Sequence, residues 1–101
     1  MPLRPSSTAN PIQCFCPDPS KTTTLTLTAG TATWTPGAGV KNFMFYPSTA
    51  VVMKLNTSGA NGTTGLSFPA TTLSPWLGIH GATASITFTG TAGQTVVIEA
   101  D

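Results

Sequence analysis

The stretch TTTLTLTAGTATWT, residues 22–35, sets an apolar side chain at every second position: Leu25 and Leu27, then Ala32 and Trp34, with threonine between them. A helix would repeat its apolar positions at three and four residues. A repeat of two is that of a strand with one face buried and one face wet. Leu25 and Leu27 point one way, and Thr24, Thr26 and Thr28 the other. Threonine suits the wet face because its β-branched side chain fits a pleated surface. Ala29-Gly30 supplies a turn, so the stretch reads as a β-hairpin.

The same period runs outward along the chain in NFMFY (42–46), VVMKLN (51–56), LSF (66–68), WLGIH (76–80), ASITFT (84–89) and TVVIEA (95–100). Pro36, Gly37 and Gly39 form a loop, Pro47 stops a strand, TSGANGTTG (57–65) is a long polar loop, and GTAGQ (90–94) is a turn. The pattern predicts about eight short strands and no helix. That spacing implies an all-β fold, an antiparallel sandwich or barrel, jelly-roll-like or Ig-like. Pattern alone does not separate these topologies. The inward set is Leu25, Leu27, Trp34, Phe43, Phe45, Val51, Met53, Leu55, Leu66, Phe68, Leu77, Ile79, Ile86, Phe88, Val96 and Ile98.

Two strands carry more apolar side chains than one buried face needs. Val51-Val52 and Val96-Val97 put valine on both faces, and Met44 and Tyr46 lie opposite Phe43 and Phe45. A strand with one solvated face should alternate cleanly, so Met44, Tyr46, Val52 and Val97 are expected to form an oligomer interface. Burying four such side chains at about 1.5–3 kcal/mol each yields roughly 6–12 kcal/mol before association costs. A homo-oligomer follows, a trimer by preference or a dimer.

Composition narrows the function classes. Of 101 residues only 7 are charged, whereas threonine supplies 20 and serine 8. An ordinary globular domain is about 25% charged. The basic residues Arg4, Lys21, Lys41 and Lys54 are scattered and the net charge is +1, which argues against nucleic acid and anionic membrane surfaces. The length supports one core and no second domain. Residues 1–21 contain five of the nine prolines and no usable period, so they read as an extended arm preceding a sandwich at 22–101. The opening MPLRPSSTANPIQCFCPDPS breaks every apolar run and does not fit a secretory signal, and no run is long enough to span a membrane. Synthesis in a cytoplasm is expected. A Cys14–Cys16 disulfide would be strained, since neighbours two apart in extended chain lie near the upper distance limit for a bridge.

Catalytic chemistry is poorly supplied. His80 is the one histidine, with Asp18, Glu99 and Asp101 as the only acids. Only Glu99 has a position from which to orient the imidazole, and no G-x-S-x-G elbow is present. Cys14, Cys16 and His80 fall one ligand short of a tetrahedral zinc site, and C-x-C lacks the usual spacing. No phosphate-binding glycine loop precedes a helix. No enzyme activity, metal or cofactor is expected. Asn56-Thr57-Ser58 matches a glycosylation acceptor only formally. The threonine ladders lack the fixed repeat of an ice-binding solenoid. Trp34, Tyr46 and Trp76 offer aromatic faces for a sugar platform, with Trp34 better suited to the core.

In the last third, PWLGIHGATASITFTGTAGQTVVIEAD (75–101) joins an aromatic-Gly-Ile strand, an alternating threonine strand with a glycine turn, and a valine strand. With FYPSTAVVMKLN (45–56) and the charge-poor composition, the chain from about 22 to 101 resembles the small all-β decoration or cement (minor capsid) proteins of tailed bacteriophages. The resemblance implies a compact sandwich located in the virion, commonly a trimer, that binds the major capsid protein and stabilises capsid joints. It implies an N-terminal arm reaching neighbouring subunits, for which Arg4, Ile12 and Phe15 are the candidate contacts. The C-x-C of the arm is not part of that pattern. The alternative is a carbohydrate-binding sandwich module on a head or tail fibre.

Overall fold

In the computed structural model, which describes residues 18–101, the alternating segments become eight strands: β1 (Thr23–Thr26), β2 (Thr31–Trp34), β3 (Asn42–Pro47), β4 (Val51–Asn56), β5 (Leu66–Phe68), β6 (Leu77–Gly78), β7 (Ser85–Thr89) and β8 (Thr95–Ala100). They form two four-stranded antiparallel sheets, ordered β1-β8-β3-β6 and β2-β7-β4-β5. The pairs β1–β8, β2–β7, β3–β6 and β4–β5 are those of one long hairpin, strands 1–4 running out and 5–8 running back, wrapped into two sheets. This is the jelly-roll order. The Ig-like alternative, whose first two strands pair with each other, is excluded.

The expected hairpin at 22–35 is therefore a correction: β1 and β2 do not pair, but lie in different sheets. Leu27 turns inward and is fully buried. Its N–H donates to the Gln94 carbonyl (2.9 Å) and its carbonyl accepts from Gly93 (2.8 Å) and Gly30 (3.0 Å). The Gly30 carbonyl in turn accepts from Gly90 (2.8 Å). Of these bonds one is the corner's own turn, Gly30 to Leu27, and the other three tie it to the β7–β8 corner. Gly30 has φ +84°, and a Cβ there would stand 3.0 Å from the Gly90 carbonyl oxygen. Only glycine takes both the conformation and the close approach.

Between the sheets lies a core of Leu27, Trp34, Phe43, Phe45, Val51, Met53, Ile86, Phe88, Val96, Ile98 and Ala100, with Leu25, Phe68, Leu77 and Ile79 packed against it. Phe45 is its aromatic centre, edge-on to Phe68 (4.8 Å between centroids) and Phe88 (4.9 Å), while Trp34 tilts against Phe43 (5.1 Å). Two expected core residues are not in it. Leu55 is 47% exposed and Leu66 54% exposed. The register gives both the inward orientation, Leu55 opposite Ile86 and Leu66 opposite Met53. Leu66 is on β5, the edge strand of its sheet, and Leu55 is on the neighbouring β4 beyond the last β4–β5 pair.

Asp18–Lys21, expected within the arm, belong to the sandwich. Asp18 N–H donates to the Ala100 carbonyl (2.9 Å), and Pro19–Lys21 form a single 3₁₀ turn capped by the Asp18 carboxylate. Lys21 Nζ donates to the Asp101 carbonyl (3.2 Å). Arg4, Ile12, Cys14, Phe15 and Cys16 lie outside the described residues. No helix among the described residues is long and apolar enough to cross a membrane.

Candidate functional site

Directly paired residues of antiparallel strands share a sheet face, so the register assigns each outward side chain. On the outside of the first sheet, Val97 stands between Thr24 of β1 and Tyr46 of β3, and Met44 stands opposite Glu99. Met44 and Val97 are half-buried and Tyr46 is 42% exposed. These three form one apolar stripe bordered by threonine and a single carboxylate. Val52, the fourth expected interface residue, does not join them. It is on the outside of the second sheet, opposite Thr89 and Ser67. A Cβ added at Gly65 would collide with Val52 Cγ1, so Val52 is covered by this chain's own loop.

The second sheet's outer face is built mostly of hydroxyls. Thr31, Thr89 and Val52 form one row, Thr33, Thr87 and Lys54 the next, and Ser85 and Asn56 the last. Thr33 and Thr87 hydroxyls meet at 3.2 Å. Asn56 is buried beneath the 57–65 loop. Its Oδ1 accepts from Gly62 N–H (2.8 Å) and its Nδ2 donates to Ser85 Oγ (3.1 Å) and Thr87 Oγ1 (2.8 Å). The nitrogen that a glycan would occupy is thus committed inside the fold. Against this anchored loop lies a depression of about 230 Å³, lined by Lys54, Asn61, Gly62 and the threonines 31, 87 and 89.

A second depression, about 250 Å³, lies between the 36–41 and 79–84 loops and includes Val40, Lys41, Ile79 and His80. His80 is exposed, and its Nδ1 accepts from the Ala82 N–H (3.0 Å), a bond that closes its own loop. Glu99 is placed against Met44 on the first sheet's outer face. Among the described residues no three His, Cys, Asp or Glu side chains gather as a metal site. Trp34 is a core residue, 7% exposed, so the sugar platform of three aromatic rings does not form. Trp76 is half-buried and immediately precedes β6.

Four polar residues that periodicity did not single out do the tying. Asn56 anchors the 57–65 loop. Gln94 is buried, accepts from Thr91 N–H (2.6 Å) and donates to the Thr49 carbonyl (2.7 Å), joining two corners. Ser74 is buried and accepts from the Phe45 N–H (2.9 Å) where Pro75 interrupts the ladder. Asp101 accepts from the N–H groups of Lys41 (3.0 Å) and Asn42 (3.1 Å) and from Asn42 Nδ2 (2.9 Å). The Asn42 amide holds the Asp101 carboxyl below its ordinary range, with the two backbone N–H groups adding to it against partial desolvation. Asp18 is lowered likewise, first by the Ser20 hydroxyl and then by the Ser20 N–H. A polar residue at a strand end next to a Gly-rich turn was the available signal for Asn56 and Gln94. No known family model, curated protein or solved structure matches this chain.

Proposed function

We propose that the protein is a structural virion component, a decoration or cement subunit that binds the outer surface of a phage head and stabilises joints between major capsid proteins. The observation that carries this reading is the outward stripe Met44–Tyr46–Val97. Three large apolar side chains share one face of a strand-rich surface in a chain with 7 charged residues. Such a face favours contact with another protein surface over solvent. A jelly roll is also a fold of capsid proteins, which supports the reading by analogy only. Adhesion needs no reacting group, in keeping with an isolated, loop-bonded His80. The stripe serves self-association into a trimer, and the residues before Asp18, with Arg4, Ile12 and Phe15, serve contacts to the capsid.

Quantitative mass spectrometry of purified particles tests this. A cement subunit is expected in hundreds of copies, in fixed ratio to the major capsid protein. A few copies per particle would favour the fibre module, and absence from particles would overturn both.

A further inference from the structure

We propose that the depression on the outer face of the second sheet is a binding site for an acidic monosaccharide unit, one carboxylate flanked by hydroxyls, as in a hexuronate residue of a polysaccharide. The site lies on the sheet opposite Met44, Tyr46 and Val97, so it stays open in an assembly built through that stripe, and it does not depend on the capsid reading.

The argument starts with charge. Among the described residues, Lys54 is the one charged side chain on this face, and its ammonium has no hydrogen-bond or ion-pair partner there. All three carboxylates of the chain are elsewhere: Asp18 and Asp101 bond at the end of β8, and Glu99 is on the other sheet's outer face. An ammonium among neutral hydroxyls, with no acid nearby, complements an anion.

Geometry comes next. Lys54, Thr87 and Thr89 stand on neighbouring strands, β4 and β7, and Thr31 pairs with Thr89 from β2. The floor is therefore a hydrogen-bonded sheet, which places its groups more firmly than a loop would. The Lys54 stem runs beside Gly65, where an added Cβ would lie 3.5 Å from Cγ and 3.6 Å from Cε. The stem therefore lies alongside the loop backbone at Gly65, within ordinary van der Waals reach of a side chain placed there. The loop wall that carries Asn61 is pinned through the Gly62–Asn56 bond.

Chemistry selects the ligand class. The Thr31 and Thr89 hydroxyls and the Asn61 amide make no side-chain hydrogen bond to another described residue. Hydroxyls and amides donate and accept at once, which matches the hydroxyls of a sugar ring, whereas a bare inorganic anion would use only their donors. A volume of about 230 Å³ is below that of drug-sized sites, so one ring is the unit to expect.

The test titrates the ¹⁵N-labelled full chain with glucuronate, glucose and sulfate, following amide shifts. Glucuronate is expected to move the amides of Lys54, Asn61, Gly62 and Thr89 with millimolar affinity, at least about tenfold tighter than glucose or sulfate. Lys54→Met should weaken glucuronate at least about tenfold and Thr89→Val several-fold, each with an otherwise unchanged spectrum. Asn61→Ala is the further variant should either of these not fold. Equal shifts with sulfate would mean a plain anion site and overturn the proposal. So would glucuronate shifts centred on Tyr46 or Trp76, or no shifts at all.

Discussion

Asn42 and Asp101 grip each other through three hydrogen bonds: Asn42 N–H to Oδ1 (3.1 Å), Asn42 Nδ2 to Oδ2 (2.9 Å), and Asp101 N–H back to the Asn42 carbonyl (3.3 Å). The clamp ties the start of β3 to the end of β8, and Lys21 reaches the Asp101 carbonyl from the 3₁₀ turn. It joins the two strands at the centre of the first sheet to the entering chain.

The clamp carries a pH dependence. The bonded carboxylate is lowered from its ordinary value of 3.8, above all by the Asn42 amide. A depressed acid stabilises the fold fully above its unfolded value, and this contribution is lost as pH falls through the lower folded value. Urea midpoints measured from neutral to strongly acid pH should therefore fall for the wild type below pH 4 or so. Asp101→Asn should be less stable at neutral pH and fall less steeply, Asp18 still contributing to both. Parallel curves would contradict the assignment.

Val97, central in the outward stripe, decides self-association. Met44, Tyr46 and Val97 are already half-covered, so their complete burial yields roughly 2–4 kcal/mol per protomer before association costs. Light scattering should give a multiple of 10.3 kDa that depends on concentration. Val97→Asp should shift it to monomer, whereas Ser67→Glu on the opposite sheet should not. Val52→Asp should instead destabilise the fold, because the charge would lie under the loop at Gly65. A wild-type monomer at all concentrations would refute the interface.

Phe45 and Leu55 make a contrast on inward positions. Phe45 is fully buried among Phe43, Phe68 and Phe88. Phe45→Ala should cost about 3–5 kcal/mol in urea denaturation. Leu55→Ala should cost less than about 1 kcal/mol, since half of that side chain is already in water. Similar losses would mean that Leu55 is covered in solution.

Gly30 and Gly37 test the corner. Gly30→Ala introduces strain at φ +84° and against the Gly90 carbonyl, for an expected loss of about 1–2 kcal/mol. A Cβ at Gly37 meets nothing within 4 Å, so Gly37→Ala should be neutral or gain about 0.5 kcal/mol. Calorimetric melting of the two variants separates them; an unperturbed Gly30→Ala would show that the corner relaxes.

Local period two was enough to locate β4, β5 and β8 to the residue and to assign the faces of Leu25, Trp34, Phe43 and Ile98, because alternation is a property of each strand alone. It also marked Met44, Tyr46 and Val97 as outward and apolar. Pairing was beyond its reach. Ala29-Gly30 is equally a hairpin turn or a corner between sheets, and only the bonds from Leu27 and Gly30 to residues 90–94 decide between them. Exposure of Leu55 and Leu66 likewise depends on which strand ends their sheet, and the cover over Val52 on a loop that folds back thirteen residues later. The groove at Lys54 needs three strands and that loop together. Those relations are set by contacts between residues distant in the chain, where side-chain pattern carries no register, so the tertiary structure alone determined them.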